Sequence, residues 1–180
     1  MKTRPSVRLA LLVGATGLVV VVGTGFMLTR GDSARSRTCE ESAALSAAKV
    51  RTDLGELAEE VPGLGEPVEI HWQVRVRGNP CSRVPGPTDR AYQGVVTLRP
   101  QDARRLSEQH GFTPFSAIDP GELDHSSTPA DVWPDLVPFL PPEPRWRYSA
   151  SYNALPPSYR WRVAFLDLEH HTLAFMLYDH

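Results

Sequence analysis

Lysine is scarce in this chain: among 19 Lys and Arg residues, only Lys2 and Lys49 are lysines. With abundant Ala, Gly and Pro, this bias points to a GC-rich bacterial coding sequence. Cysteine is almost missing. Cys39 and Cys81 are the only two, with no C-x-x-C or nearby histidine to complete four ligands, so no metal site is expected on this pair. There is no internal repeat and no G-x-S-x-G, H-E-x-x-H or P-loop, so no signature motif announces catalysis. No metal and no cofactor is expected. An excess of basic charge is lacking as well. From residue 38 onward lie 13 of the 19 Lys and Arg but 20 of the 21 Asp and Glu, a balance of −7. Such a domain is not a general nucleic-acid binder, which needs a basic surface.

What the chain does have is one uncharged apolar run, Leu9 to Thr29. As a helix it measures roughly 30 Å, the thickness of a bilayer's hydrocarbon core. It is longer than the apolar core of a signal peptide, and no A-x-A-like triplet follows it. The expectation is a single retained transmembrane helix. Lys2, Arg4 and Arg8 precede it, and Arg30, Arg35 and Arg37 follow, so the positive-inside rule is nearly balanced. The short triply basic tail tips it towards an N-terminus inside. The expected organisation is a cytoplasmic tail (1–8), a transmembrane helix (9–29), a linker (30–37) and an extracytoplasmic domain (38–180) at the cell membrane.

Thr38-Cys39-Glu40-Glu41 has the form of a capping box. Ala43, Ala47, Val50, Leu54, Leu57 and Val61 then follow at steps of three and four, which predicts one long helix ending at Pro62-Gly63. Val68 to Arg77 alternates strictly and predicts a strand with one buried and one wet face. A second strand is expected from about Tyr92 to Arg99, and a short helix from Asp102 to His110. Pro129–Pro144 is proline-rich and irregular, with one helical turn near Asp131–Val137. Its Trp133, Phe139 and Leu140 are expected to cap the core, or else to dock a partner. Three strands follow: Arg145–Tyr152, Tyr159–Leu168 and Thr172–Tyr178. The last two form a hairpin across Glu169-His170-His171 with both faces covered.

This order predicts an α+β domain of two layers, a long helix packed on an antiparallel sheet of about five strands. In element order alone it resembles the cystatin-like plan, a long N-terminal helix lying across a curved antiparallel sheet. A helix and a first strand of equal length bring Cys39 and Cys81 to the same end, which predicts a disulfide and hence an oxidising compartment.

Two clusters offer chemistry. Arg75, Arg77, Arg147, Arg160 and Arg162 stand at alternating strand positions, and they form an anion-binding face if the strands match in phase. Asp167, Glu169, His170, His171, Asp179 and His180 crowd the C-terminus, where carboxylate and imidazole can do acid–base work. The first reading is a non-enzymatic binding module of the cell envelope, anchored in the bilayer by residues 9–29. Its partner is an envelope protein or an anionic polymer or lipid. The alternative is an envelope enzyme or accessory subunit using the C-terminal cluster. A third is self-association through the Ala43–Val61 stripe.

Overall fold

The computed structural model describes residues 36–55, 57–82, 89–119, 123, 127–155 and 160–179. The expected span at 9–29 lies outside the described residues, as do His125 and His180. No helix among the described residues is long and apolar enough to cross a membrane.

One antiparallel sheet of six strands organises the fold. Its strands are β1 (Glu69–Arg77), β2 (Asp89–Thr97), β3 (Thr113–Pro114), β4 (Arg147–Tyr148), β5 (Arg160–Asp167) and β6 (Thr172–Asp179). They lie in the order β1-β2-β6-β5-β4-β3. The helices are α1 (36–48), α2 (Leu57–Glu60), α3 (Pro100–His110) and α4 (Ala150–Asn153). The class is α+β, as expected.

Three expectations are corrected. The long helix is not one helix. Lys49 and Val50 leave the helical path, and Arg51 pairs with Trp72 on the outer edge of β1, through Arg51 N–H to Trp72 O at 2.8 Å and Trp72 N–H to Arg51 O at 2.9 Å. The indole Nε1 of Trp72 also donates to Asp53 O at 2.7 Å. The physical reason is weak packing. The first stripe residues are alanines, α1 is largely exposed, and its Leu45 is 75% exposed. Extending the helix would leave the edge groups of a buried tryptophan unpaired. Gly55, at φ +36°, completes the break. Thr38 is also already helical, so it does not cap. With the long helix gone, the likeness to the cystatin-like plan lapses and no continuous self-association stripe remains.

The expected strand Arg145–Tyr152 is the second correction. Only Arg147 and Tyr148 are paired, because Ser149 accepts a hydrogen bond from Tyr152 N–H and caps α4. The third is the layer count. Trp72, Tyr92, Val96, Leu166, Phe175 and Leu177 cover one face of the sheet and pack on Leu57, Val61, Ala103, Leu106 and Tyr152. Val95, Val163, Phe165 and Met176 cover the other face, and there Val132, Leu136, Trp133 and Leu140 of the proline-rich segment close over them. The sheet is therefore sandwiched between a helical face and a loop face. The expected covering of β5 and β6 on both sides holds.

The loop face is wired by glutamines. Gln93 Oε1 accepts from Trp133 N–H at 2.8 Å, and its Nε2 donates to Asp131 O at 3.1 Å. Gln73 Nε2 donates to Asp135 Oδ2 at 3.0 Å and to Ala48 O at 2.9 Å. The polar face of β1 is thus not wet throughout: Gln73 is fully buried. Gly94 leaves room where the ring of Phe175 crosses β2; a Cβ there would also stand 2.9 Å from Trp72 Cβ.

α3 is defined at both ends. Pro100 opens it, where a missing N–H costs nothing. Gly111 closes it at φ +62°, with its N–H on Ser107 O.

Candidate functional site

Cys39 and Cys81 are joined in a disulfide, with their Cα atoms 5.8 Å apart. The pairing is as expected, although its geometric premise is replaced. Arg51 meets Trp72 in the middle of β1, and α1 runs back from there towards the strand's C-terminal end. Stepping backwards along the antiparallel partner is the same as stepping forwards along β1, so Cys39 arrives beside Cys81.

The five arginines do not form one face. Arg75 and Arg77 alternate with Val74 and Val76 and lie on the loop face of β1. Arg162 pairs with Leu177, which pairs with Tyr92, so it lies on the helical face. There it is 4% exposed, with Nε donating to Glu60 O at 2.9 Å and Nη1 to Tyr152 O at 3.1 Å. Arg147 pairs with Leu166 at the opposite end of the sheet and donates to Phe112 O at 3.3 Å. The side chain of Arg160 lies outside the described residues. Two opposed phases explain the split: a strand's parity relative to its neighbour decides the face, and a single-residue step inverts it.

Arg75 and Arg77 instead join aromatic side chains. Register sets Arg75, Ala91, Tyr178 and Trp161 in one row across β1, β2, β6 and β5. At the usual strand spacing that row spans about 14 Å. The Arg75 guanidinium lies 4.1 Å from the Trp133 ring centroid and 3.8 Å from Asp135 Oδ2. Arg77 lies 5.7 Å from the Tyr178 centroid. Ala91 is the buried floor, and Trp161 is 47% exposed at the far end of the row. A guanidinium stacked on a ring still presents its N–H edge sideways and suits phosphate or carboxylate. Half-exposed Trp161 and partly buried Tyr178 add amphipathic rings with an apolar body and a polar tip. Sequence reasoning singled out the two arginines and, separately, Trp133, and missed Trp161 and Tyr178, because only cross-strand register brings those two into the row of Arg75. The alternation of Trp161 with Arg160 and Arg162 was the available signal.

The C-terminal cluster serves the β5–β6 turn. Asp167 is fully buried, and its carboxylate accepts from the backbone N–H groups of Arg145 at 3.2 Å, Glu169 at 2.9 Å and His170 at 3.4 Å. His170 Nδ1 sits 2.8 Å from Asp167 Oδ2. Burial pushes the Asp167 carboxyl up. The His170 ring and the three backbone donors outweigh it, so the carboxyl rests below its ordinary value. A carboxyl depressed in the folded state adds stability above its unfolded value, near 4, and loses it as pH falls through the folded value. Acid titration of the unfolding midpoint should therefore show a drop below about pH 4. An Asp167→Asn variant should be less stable at pH 7 and show a shallower acid drop; an unchanged acid slope would separate Asp167 from that loss. The side chain of Asp179 lies outside the described residues. No cluster of three or more metal-ligating residues occurs among those described.

The proline-rich segment does what its core-capping reading expects at Trp133 and Leu140. Phe139 differs: it is 37% exposed and stacks on the His71 ring, with centroids 3.6 Å apart and planes 9° from parallel. His71 Nε2 sits 2.7 Å from Glu69 Oε1. This closes the loop face at the rim of β1.

Compared with family models, curated proteins and solved structures, the chain matches none.

Proposed function

We propose that this protein is a membrane-anchored, non-enzymatic binding module of the bacterial cell envelope. Residues 1–8 lie inside, 9–29 span the bilayer, 30–37 link, and 38–180 form the extracytoplasmic domain. The observation that carries the reading is the Cys39–Cys81 bridge, placed ten residues after the apolar run ends. A disulfide persists on the oxidising side of a membrane. The basic tail before the run favours retention inside. The contact surface best suited to a ligand is the row of Arg75, Arg77, Tyr178 and Trp161, whose guanidiniums and rings favour an anionic envelope component. The enzyme alternative is weakened by Asp167, whose carboxylate is committed to holding a turn.

Protease added to intact spheroplasts should digest residues 38–180. Protection until the membrane is permeabilised would reverse the orientation. Turnover of a wall or lipid substrate by the purified protein, abolished by His170→Ala or His171→Ala, would replace the binding reading with the enzymatic one.

A further inference from the structure

We infer that the row of Arg75, Arg77, Tyr178 and Trp161 is the seat by which the domain rests on the anionic phospholipid headgroups of its own membrane. The inference deepens the proposed function and rests on the reading of residues 9–29 as a span.

The first ground is where the chain enters the fold. The Cys39–Cys81 bridge pins the start of α1 to the turn just beyond the C-terminal end of β1. Arg77 is four residues before Cys81, so it lies within about 14 Å of that point along the chain. Tyr178 and Trp161 share the row of Arg75, at the same end of the sheet. From Thr29 to Ser36 the chain makes seven steps, roughly 24 Å when fully extended. A linker of this length limits how far the tethered end of the domain can stand from the membrane.

The second ground is charge. A domain with a balance of −7 is repelled by an anionic surface unless it presents a basic end. At the tethered end the sheet carries Arg75, Arg77 and Arg90. Asp135 beside Arg75, Asp89 in β2 and Glu40 and Glu41 in α1 oppose them there. At the far end stand Glu69, Asp167 and Glu169, joined by Glu66, with Arg99, Arg145 and Arg147 near them. Acids and bases thus nearly balance at both ends, so the tether sets the orientation, and the attraction to anionic headgroups is local to Arg75 and Arg77 on the loop face.

The third ground is residue type. Tryptophan and tyrosine with arginine are the side chains that settle at the headgroup level, rings towards the acyl boundary and charge towards phosphate. Trp161 is 47% exposed, on a central strand whose other described side chains are mostly buried. A free anionic polymer offers the same charges without an apolar boundary for the ring.

The test uses the full chain in vesicles containing lipids brominated in the upper acyl chain, made from phosphatidylcholine alone or with about a third phosphatidylglycerol. Trp161→Phe isolates the share of quenching due to Trp161. That share should be at least twofold larger in the anionic vesicles and should fall to the zwitterionic level in Arg75→Gln, Arg77→Gln or in high salt, where screening shortens to a few ångström. Arg147→Gln, at the opposite end, should change nothing. Unfolding midpoints confirm that each variant is folded. Trp161 quenching that is equal in both vesicles, or unaffected by the double variant, overturns the seat. So does a Trp161 signal that responds to hyaluronate, an anionic glycan, and not to vesicles. Alkaline carbonate separates the two failures: a chain retained in the vesicles but unquenched refutes the seat alone, whereas a chain released refutes the span and the seat together.

Discussion

Replacing Cys39 and Cys81 together by serine should lower the stability of the domain by about 2–4 kcal/mol and change how it begins to unfold. The bond closes a loop with a sequence separation of 42, for which the chain-entropy model gives roughly 4 kcal/mol. The distribution of burial says where the loss will appear. α1 packs poorly, with Ala43 and Ala47 only half-buried and Leu45 exposed. Besides the disulfide it is tied by the Arg51–Trp72 pair and by Gln73 Nε2 on Ala48 O. A helix of this length is marginal in water by itself. Reduction should therefore release α1 before the sheet melts. Limited proteolysis of the reduced protein should cut first within 36–48, and helical ellipticity should fall below the main transition. Non-reducing electrophoresis should show the oxidised chain running faster. Stoichiometric titration of free thiols in the native protein, or a double variant with an unchanged midpoint, would deny the bond any part in stability.

The same region shows how far the sequence could be read. Strict alternation in Glu69–Arg77 is a direct imprint of a pleated strand and was legible, as were the β5–β6 hairpin and the α3 boundaries at Pro100 and Gly111. The apolar stripe from Ala43 to Val61 was legible only in part. Leu54, Leu57 and Val61 do reach the core, yet the backbone at residues 49–55 is not helical. Periodicity reports which side chains are buried; it does not report that the free edge of β1, at its buried tryptophan, takes Arg51 as a partner. Ser149 is a similar case. Tyr148 and Tyr152 alternate as if in one strand, and a side-chain cap sends them to opposite faces. Alternation placed Gln73 on the wet face of β1, and nothing in the sequence assigned Gln93 of β2 to the core. They are buried because the proline-rich segment, having few backbone partners of its own, takes its hydrogen bonds from them. The candidate site was the least legible part. Arg75 and Arg77 alternate just as Arg160 and Arg162 do, and only the relative register of four strands separates a surface pair from Arg162, a structural one.

Arg162 carries the second large expectation. Arg162→Leu should destabilise the domain by about 3 kcal/mol, a fall in midpoint of roughly 10 °C for a domain of this size. The guanidinium lies under the helical layer, 4% exposed, where it supplies Glu60 O and Tyr152 O with donors at 2.9 and 3.1 Å. Its plane stands 5.5 Å from the Tyr152 ring centroid, and the Tyr152 hydroxyl in turn donates to Pro62 O at 2.9 Å. Burial pushes the guanidinium down from its ordinary value, against the pull of Tyr152 and Glu60; the Tyr152 phenol is pushed up by the same burial. One side chain thus joins β5 to α2 and α4, the two short helices, whose own hydrogen bonds are too few to hold them. Leucine fills part of the volume but leaves two buried carbonyls without their donor and the neighbouring Glu60 carboxylate without the opposite charge that faces it, and that desolvation cost is what dominates. Arg162→Lys should fall between, because one ammonium on a thinner stem cannot serve both carbonyls in their fixed geometry. Combining Arg162→Leu with Glu60→Leu should recover part of the loss, since the pair's charge is then removed from both sides. A denaturant series on the unaltered chain, Arg162→Leu, Glu60→Leu and the double variant measures this coupling directly. Additive losses would mean that Glu60 does not answer to Arg162, and a neutral Arg162→Leu would mean that apolar packing alone holds the helical layer to the sheet.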